Sequence, residues 1–487
     1  FSFCNNFNHS VIIPESVTNT YNMFSNCHIL NKPITISSNS TNIAWMFANC
    51  NIFNQNVILP TSPINMQGTF AHCYNFTYEV FIPVSVNDTS SMLAFANNWN
   101  HSIYIPENVL NTSNMFSNCK NLNSDVTGYI NTKDTSYMFS DCIIFDKSVS
   151  IPDDVTNTAG MFMNAHNFRN YVAIPSKTTD MSYMFYGANN YNSRVTIPEN
   201  VTNIAYMLSD AYNFNISLEI PNGVLNASGL FQNGYNFNSI VIIPDSVIDL
   251  SYALSNVNKF NKPLHIPNKL NNACAMFDGA NNFNQYIDIP LSVMNVYAMF
   301  RGCNNFNYHV NVPYGVDNTS SMFENCYNFN QRVTIPETVT NAYRMFYYCN
   351  NMEEKVYLSN NITDASEMFY YANKFNKHVN IPKHAINLYG MFNGCHNYNA
   401  TTYVWDEAID CSEMFRDCYN LNQFVTIGCN VKYIENMFLN CNNFDQDLII
   451  PDKVVSNLSN YFVTCTNLNS NIRSRSEERR VGKECRS

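Results

Sequence analysis

The sequence predicts a repeat solenoid: a stack of about 21 coils, each supplying one short parallel β-strand and a short helical or 3-10 turn. Three observations predict it. Stepping by 23 residues from Met345 reaches Met322, Met299 and Met276 in one direction and Met368, Met391, Met414 and Met437 in the other, and the register extends back to Met23. A Val-x-Ile triplet, as in Val333-Thr334-Ile335 and Val195-Thr196-Ile197, recurs in phase with these methionines. Four residues before each Met stands Asn or Asp, from Asn19, Asn42, Asn65 and Asp88 to Asn387 and Asp410, with Tyr433 as the exception. A fixed period in this range, held along a chain, marks an array with one continuous core rather than a string of separate domains.

Each part of the coil has a physical reason. The Val-x-Ile triplet alternates inward, outward and inward with β-branched residues, so it reads as a short strand. Pro follows it in most coils, as at Pro106, Pro198 and Pro336, and with no N–H to donate it marks where ladder pairing stops. The coils at Gly128-Tyr129, Leu358-Ser359, Val404-Trp405 and Ile427-Gly428 lack that Ile-Pro pair. The Asn or Asp before Met is expected to cap the helical or 3-10 turn by accepting from orphaned N–H groups. Met and the Phe after it (Phe24, Phe47, Phe116, Phe300, Phe346) form the apolar core of that edge. Four residues after Met the side chain is small: Cys27, Cys50, Cys119 and Cys142, then Ala165, Ala188, Ala211 and Gly234, then Cys303, Cys326 and Cys349. Seven after Met comes an aromatic residue or Leu, followed by Asn in most coils (Asn54, Asn100, Asn215, Asn330), expected to form a ladder of side-chain amides that hydrogen-bond backbone groups where the chain turns. The period slips once, at Tyr461-Phe462, one residue late.

The array is read as a single domain over residues 1–473. Phe1 and Cys4 are in phase with Phe24 and Cys27, so the chain enters in mid-repeat and is expected to be truncated at both ends. Residues 474–487 leave the repeat, read as the in-frame translation of a sequencing-library adapter, and are expected to be disordered. The net charge is -11, from 26 Lys plus Arg and 37 Asp plus Glu. That balance gives no basic footprint for nucleic acid, and no apolar run approaches the length of a membrane span.

These residues resemble a known family. Cys-x-x-Phe-Asn-x-x-Val-x-Ile-Pro-x-x-Val-Thr, with Met-Phe before the Cys, is similar to the BspA-like leucine-rich repeats of 23-residue period. Asp180-Met181-Ser182-Tyr183-Met184-Phe185 is similar to the Met-Phe repeats of mycoplasma and lactobacillus surface proteins. The resemblance implies a leucine-rich-repeat-like parallel solenoid, an extracellular or cell-surface location, and adhesion to a host or cell-surface protein or glycan. It implies no catalytic residues, and the chain departs from the family's Ala-Phe by having Met-Phe.

The residues themselves suggest no catalytic, cofactor-binding or metal-ligating site. There is no Gly-x-Ser-x-Gly, His-Glu-x-x-His, phosphate-binding Gly loop or calcium loop, and no Cys/His cluster of zinc spacing. The pairs Asp153-Asp154 and Glu353-Glu354 read as solvated turns, because adjacent residues do not face one another as an acid and base must. A buried thiol filling a small gap accounts for the Cys column, since Ala and Gly replace it freely. The column that varies is the outward residue of the strand, so packing does not fix it. Six of its apolar, aromatic and His members, Ile58, Phe81, Tyr104, His265, Tyr357 and Tyr403, are the candidate ligand-contact face. A structural spacer presenting another domain, on a cell or a phage particle, is the alternative function.

Overall fold

A computed structural model describes residues 1–455 and 464–475. The chain is a parallel β-solenoid of about 20 coils and forms two compact units, Phe1–Val247 and a second beginning at Ile248. Among the described residues no helix is long and apolar enough to cross a membrane.

The first unit contains three pairs of parallel strands: β1 (Val11–Ile12) with β2 (Ile34–Thr35), β3 (Ile103–Ile105) with β4 (Val126–Gly128), and β5 (Leu218–Glu219) with β6 (Val241–Ile242). The second contains β7 (Val333–Thr334) with β8 (Val356–Tyr357), β9 (Thr402–Tyr403) with β10 (Val425–Thr426), and β11 (Leu448–Ile450) with β12 (Ile472–Ser474). The partners are one coil apart. The pairing Leu448↔Ile472 is one residue longer than Val11↔Ile34 or Val333↔Val356, which places the slip of register in that coil. Tyr461 and Phe462, where the sequence shows the slip, lie outside the described residues, as does most of the 474–487 tail.

The expected strand in every coil is therefore formed only in part, and among the described residues the expected helical turn is not formed in any coil. From the Asn or Asp to the small residue, the backbone runs through overlapping four-residue turns. Met23, Ser25 and Cys27 donate within the coil to Thr20, Asn22 and Phe24, three residues back. The alternate residues Thr20, Asn22, Phe24 and Asn26 donate to Asn42, Ala44, Met46 and Ala48 of the next coil, at 2.7–3.1 Å. An α-helix would keep all these bonds within the segment. Here half of them join coil to coil, and from Thr20 to Cys27 the one N–H outside both sets, that of Tyr21, goes to Asn19 Oδ1. The geometry requires two left-handed residues per coil, just before Met and three after it: Asn22 and Asn26, Trp45 and Asn49, Tyr137 and Asp141, Arg344 and Tyr348. Each is the third residue of a turn, where a type II turn demands positive φ, which accounts for the Asn, Asp and Gly found there. Non-Gly, non-Asn residues such as Trp45 or Arg344 hold φ near 55° at a cost of about 1–2 kcal/mol each.

The Asn/Asp column does accept orphaned N–H groups, at a turn rather than a helix. Asn19 Oδ1 takes the N–H of Tyr21, Asp88 that of Ser90 and Asp410 that of Ser412, at 2.8–3.0 Å. Where Tyr433 breaks the column, the Glu435 N–H turns to Ser412 Oγ instead, at 3.3 Å. The amide ladder eight residues after Met is also formed. Asn31 Oδ1 accepts the N–H of Asn54, Asn284 that of Asn307, and Asn307 that of Asn330, each at 2.8–3.0 Å.

The core lies between these edges. Met46, Phe47, Cys50 and Phe53, and their equivalents Met345, Phe346, Cys349 and Met352, have no exposed surface. Fully burying one such Met or Phe contributes roughly 1.5–3 kcal/mol. The Phe rings form two neighbouring stacks that zip together: Phe47 lies 5.6 Å from Phe70 and 4.6 Å from Phe53 of its own coil. The buried thiols four residues after Met donate to a carbonyl of the preceding coil, Cys50 to Phe24 and Cys349 to Phe323, both at 3.1 Å. Burial pushes these thiols far above their ordinary pKa.

Gly128 stands where most coils have Ile. It sits at φ 90°, and a Cβ there would come within 2.0 Å of the Ile105 carbonyl oxygen. Gly128→Ala is accordingly expected to destabilise the first unit by about 2–3 kcal/mol, read as a lower midpoint in urea denaturation. Asn307→Ala removes the acceptor for the Asn330 N–H and should cost about 1 kcal/mol. Asn307→Asp keeps it, as Asp146 does for Arg169, and should be close to neutral in the same titration. Peptide mapping after brief treatment of the native protein with a thiol reagent should find Cys4, Cys274 and Cys429 modified, and the thirteen buried thiols modified only after unfolding.

Candidate binding face

Alternation along the strand puts its middle residue outward and its flanks in the core. Ile103 and Ile105 are buried, whereas Tyr104 between them is 59% exposed. The same logic exposes Ile58 by 83% and Phe81 by 79% on the two preceding coils. These three predicted residues are brought together in the first unit, one per successive coil. Phe81 is shared by two clefts. One, of about 630 Å³, is walled by Ile58, Leu59, Pro60, Phe81, Pro83 and His101. The other, of about 400 Å³, is walled by Phe81, Ile103 and Tyr104 with Asp125 and Thr127.

The clefts have a backbone cause. Among the described residues, no backbone hydrogen bond joins Val57–Leu59 to Val80–Ile82, or Val80–Ile82 to β3. Two further clefts in this unit fall at similar unpaired steps, one between residues 195–197 and 218–220 and one between 126–130 and 148–152. Where adjacent strand segments are not laced together, their outward side chains stand apart. His101 closes one end of the first cleft: its Nε2 lies 2.6 Å from the Thr77 carbonyl oxygen and its Nδ1 3.7 Å from Glu79.

The other three predicted residues lie in the second unit, and the structure does not gather them. His265 is exposed, but four coils separate it from Tyr357. Tyr357, on β8, carries the Arg332 guanidinium 4.5 Å above its ring. Tyr403, on β9, meets Trp405 edge-on at 4.7 Å, and Trp405 Nε1 donates to the Ile381 carbonyl at 3.0 Å. Asn380 stands in the coil between Tyr357 and Tyr403.

Reading only the middle residue of the strand missed a parallel column two residues earlier. By the same alternation it faces the same way, and it holds Tyr171, Ile240, Tyr286, Arg332 and Phe424. Phe424 is 62% exposed, and Tyr171, Ile240 and Tyr286 are exposed as well. Trp405 was likewise legible as an aromatic standing where most coils have Pro.

A second group of exposed-edge aromatics occupies the turn side of the second unit. Tyr347 stacks on Tyr370 at 4.8 Å and Tyr348 on Tyr371 at 5.2 Å. Arg344 lies over Tyr343 and Tyr347 and pairs with Glu367. Burial lifts Tyr370 and Tyr389 to about 12, so both stay neutral phenols across the physiological range. Among the described residues, no group of three or more His, Cys, Asp or Glu side chains could hold a metal ion. The Asp154 of the first carboxylate pair forms an exposed ion pair with Lys177, which lowers its pKa.

Comparison with known proteins places the fold in context. Among curated proteins none matches. Solved structures that are similar include a leucine-rich repeat protein from Bacteroides ovatus, at 15% identity, covering 97% of this chain and 93% of that one with a TM-score of 0.31. A leucine rich cell surface protein from Faecalibacterium prausnitzii matches at 15% identity over 96% of this chain and 80% of its own, TM-score 0.20. A leucine-rich repeat protein from Eubacterium ventriosum matches at 16% identity over 68% and 79%, TM-score 0.32. One family model matches in overlapping stretches that begin with residues 1–81 and 64–174, continue through 248–360, and end with 340–448 and 381–475. With those matches covering the whole repeat array, the chain belongs to the family described as "Mycoplasma protein of unknown function, DUF285".

Proposed function

We propose that this chain is a surface-exposed or secreted binding solenoid of the adhesin or receptor-recognition type, which engages a host or cell-surface protein or glycan through its strand face. The observation that carries the reading is the row Ile58, Phe81 and Tyr104. Large apolar side chains on three consecutive coils are left in water beside two clefts. Leaving such groups exposed gains nothing for folding, and clustered exposed apolar surface is characteristic of interaction sites. Aromatic rings add rigid contact area at low entropic cost, and Tyr357 under Arg332 and Tyr403 against Trp405 supply further anchors of the kind enriched at interfaces. The surface location is supported by the resemblance of the repeats to those of bacterial surface proteins. The reading assigns no catalytic role to any residue.

The test is binding of the full chain to arrayed glycans and extracellular matrix proteins, run beside a variant carrying Phe81→Ser, Tyr104→Ser, Tyr357→Ser and Tyr403→Ser. All four side chains point away from the core, so the circular dichroism spectrum should be unchanged. A partner bound by the parent and weakened at least about tenfold in the variant, equivalent to about 1.4 kcal/mol, is the expected result. Binding that survives the four substitutions would remove recognition from the strand face, and absence of any partner would favour the spacer function.

A further inference from the structure

A different edge of the second unit carries a site that does not depend on the strand face. Six residues after Met, asparagine side chains bond one another from coil to coil. Asn305 donates through Nδ2 to Asn282 Oδ1, Asn328 to Asn305 and Asn351 to Asn328, at 2.9–3.2 Å. Further on, Asn420 donates to Asn397, Asn443 to Asn420 and Asn467 to Asn443, at 3.2–3.4 Å. Every rung runs in the same sense, so the amide dipoles add head to tail.

Between the two runs two rungs are missing, because Lys374 occupies the position of the asparagine that would donate to Asn351 and accept from Asn397. Two consequences follow. Asn397 Oδ1 is occupied by Asn420, while its Nδ2, the positive end of the second row of dipoles, has no acceptor among the described residues. Lys374 lines the same trough as Asn397. Lys377 joins it three residues on, and among the described residues neither lysine has a carboxylate within ion-pair distance. Lys374 and Lys377 line a polar trough of about 790 Å³ with Glu353, Asn376, Asn397, Asn399, Asn420 and Asn443. Asn376 and Asn399 spend their Oδ1 atoms on the N–H groups of Asn399 and Asn422, leaving amide N–H donors available to the trough. Glu353 is the one carboxylate there, so two ammonium groups and a row of aligned amide dipoles leave a net positive end.

We propose that this trough binds an acidic oligosaccharide, with the ligand carboxylate held between Lys374, Lys377 and Asn397 Nδ2 and the sugar hydroxyls on the amides of Asn376, Asn399, Asn420 and Asn443. Each of these amides, with its oxygen already bonded, keeps an N–H to donate to a sugar hydroxyl, and an ammonium beside an amide N–H matches a carboxylate. The trough passes five coils, from that of Glu353 to that of Asn443, which at ~4.8 Å per coil is ~19 Å, longer than a simple anion requires. The chain as a whole is acidic, at -11, so a positive site confined to one edge is set apart from its surroundings.

The array itself supplies the decisive variant. Lys374→Asn supplies both missing rungs and is therefore compatible with the fold, while it removes the charge and closes the open end. Isothermal titration of the full chain with a trisaccharide of galacturonic acid, a neutral trisaccharide of glucose, and inorganic phosphate tests the assignment. The expected result is saturable binding of the uronate alone, weakened about tenfold by Lys374→Asn, the loss of one charge-assisted contact, and weakened by added salt. Lys377→Gln should weaken it as well. Equal binding of the neutral trisaccharide, phosphate binding as tight as the uronate, unchanged affinity in a folded Lys374→Asn variant, or no binding of the uronate at millimolar concentration would each overturn it. The four-residue strand-face variant described above should bind the uronate as the parent does, which keeps this site and the strand-face reading separately testable.

Discussion

The structure depends on one arrangement of backbone hydrogen bonds. In the segment that ends each coil, N–H groups point alternately to the carbonyl three residues back and to the carbonyl of the next coil. No single coil can satisfy its own backbone, so the fold exists only as a stack. The alternation also sets the chemistry of the segment, because it holds two residues per coil at positive φ. Asn, Asp and Gly tolerate that region best. Where the chain uses Tyr348, Tyr371 or Arg344 there, the strain is accepted and the side chain is thrown outward into the Tyr and Arg cluster on the turn edge.

Spacing within the core shows how this edge governs the other. Phe rings next to Met stack 5.6 Å apart at Phe47 and Phe70 and 5.7 Å apart at Phe300 and Phe323. Rings six residues further along are 6.3 Å apart at Phe53 and Phe76 and 6.1 Å at Phe306 and Phe329. Neighbouring coils are thus drawn closest where the backbone bonds are continuous. The strand segments follow the wider rings, and several of them fall out of pairing distance. The clefts around Phe81 are a consequence: the coils there are joined at the turn edge, through Asn65 to Asp88 and Asp88 to Asn111, and open at the strand edge.

The sequence made the period, the columns and the core legible because each is a statement about spacing, and spacing is what a 23-residue repeat displays. Met345, Phe346 and Cys349 are buried as their constancy implies, and the variable Ile58, Phe81 and Tyr104 are exposed as their variation implies. The error over the turn arose because an Asn four residues before an apolar pair is a good cap for a helix and an equally good acceptor for a tight turn. What separates the two is where the N–H groups one and three residues later go, and that is decided by the adjacent coil rather than by local sequence. The same non-locality hid Lys374, which in the sequence is one lysine among others and in the structure is a gap between two rows of amides. Arg332, Phe424 and Trp405 are hidden for a simpler reason: they stand two residues before or after the middle of the strand, on the same face but outside the column whose variation is most visible.

The amide rungs give the array a rule for how its length can change. Nearly every bond that joins one coil to the next links residues 22 to 24 apart, whichever coil is chosen. Removing or duplicating a block of one full period therefore rejoins each donor to an equivalent acceptor, whereas losing a single residue leaves a coil out of step with both neighbours. Genes for such a chain can lengthen or shorten by recombination between repeats at little folding cost. Reach and the choice of exposed side chains can then vary together, one coil at a time.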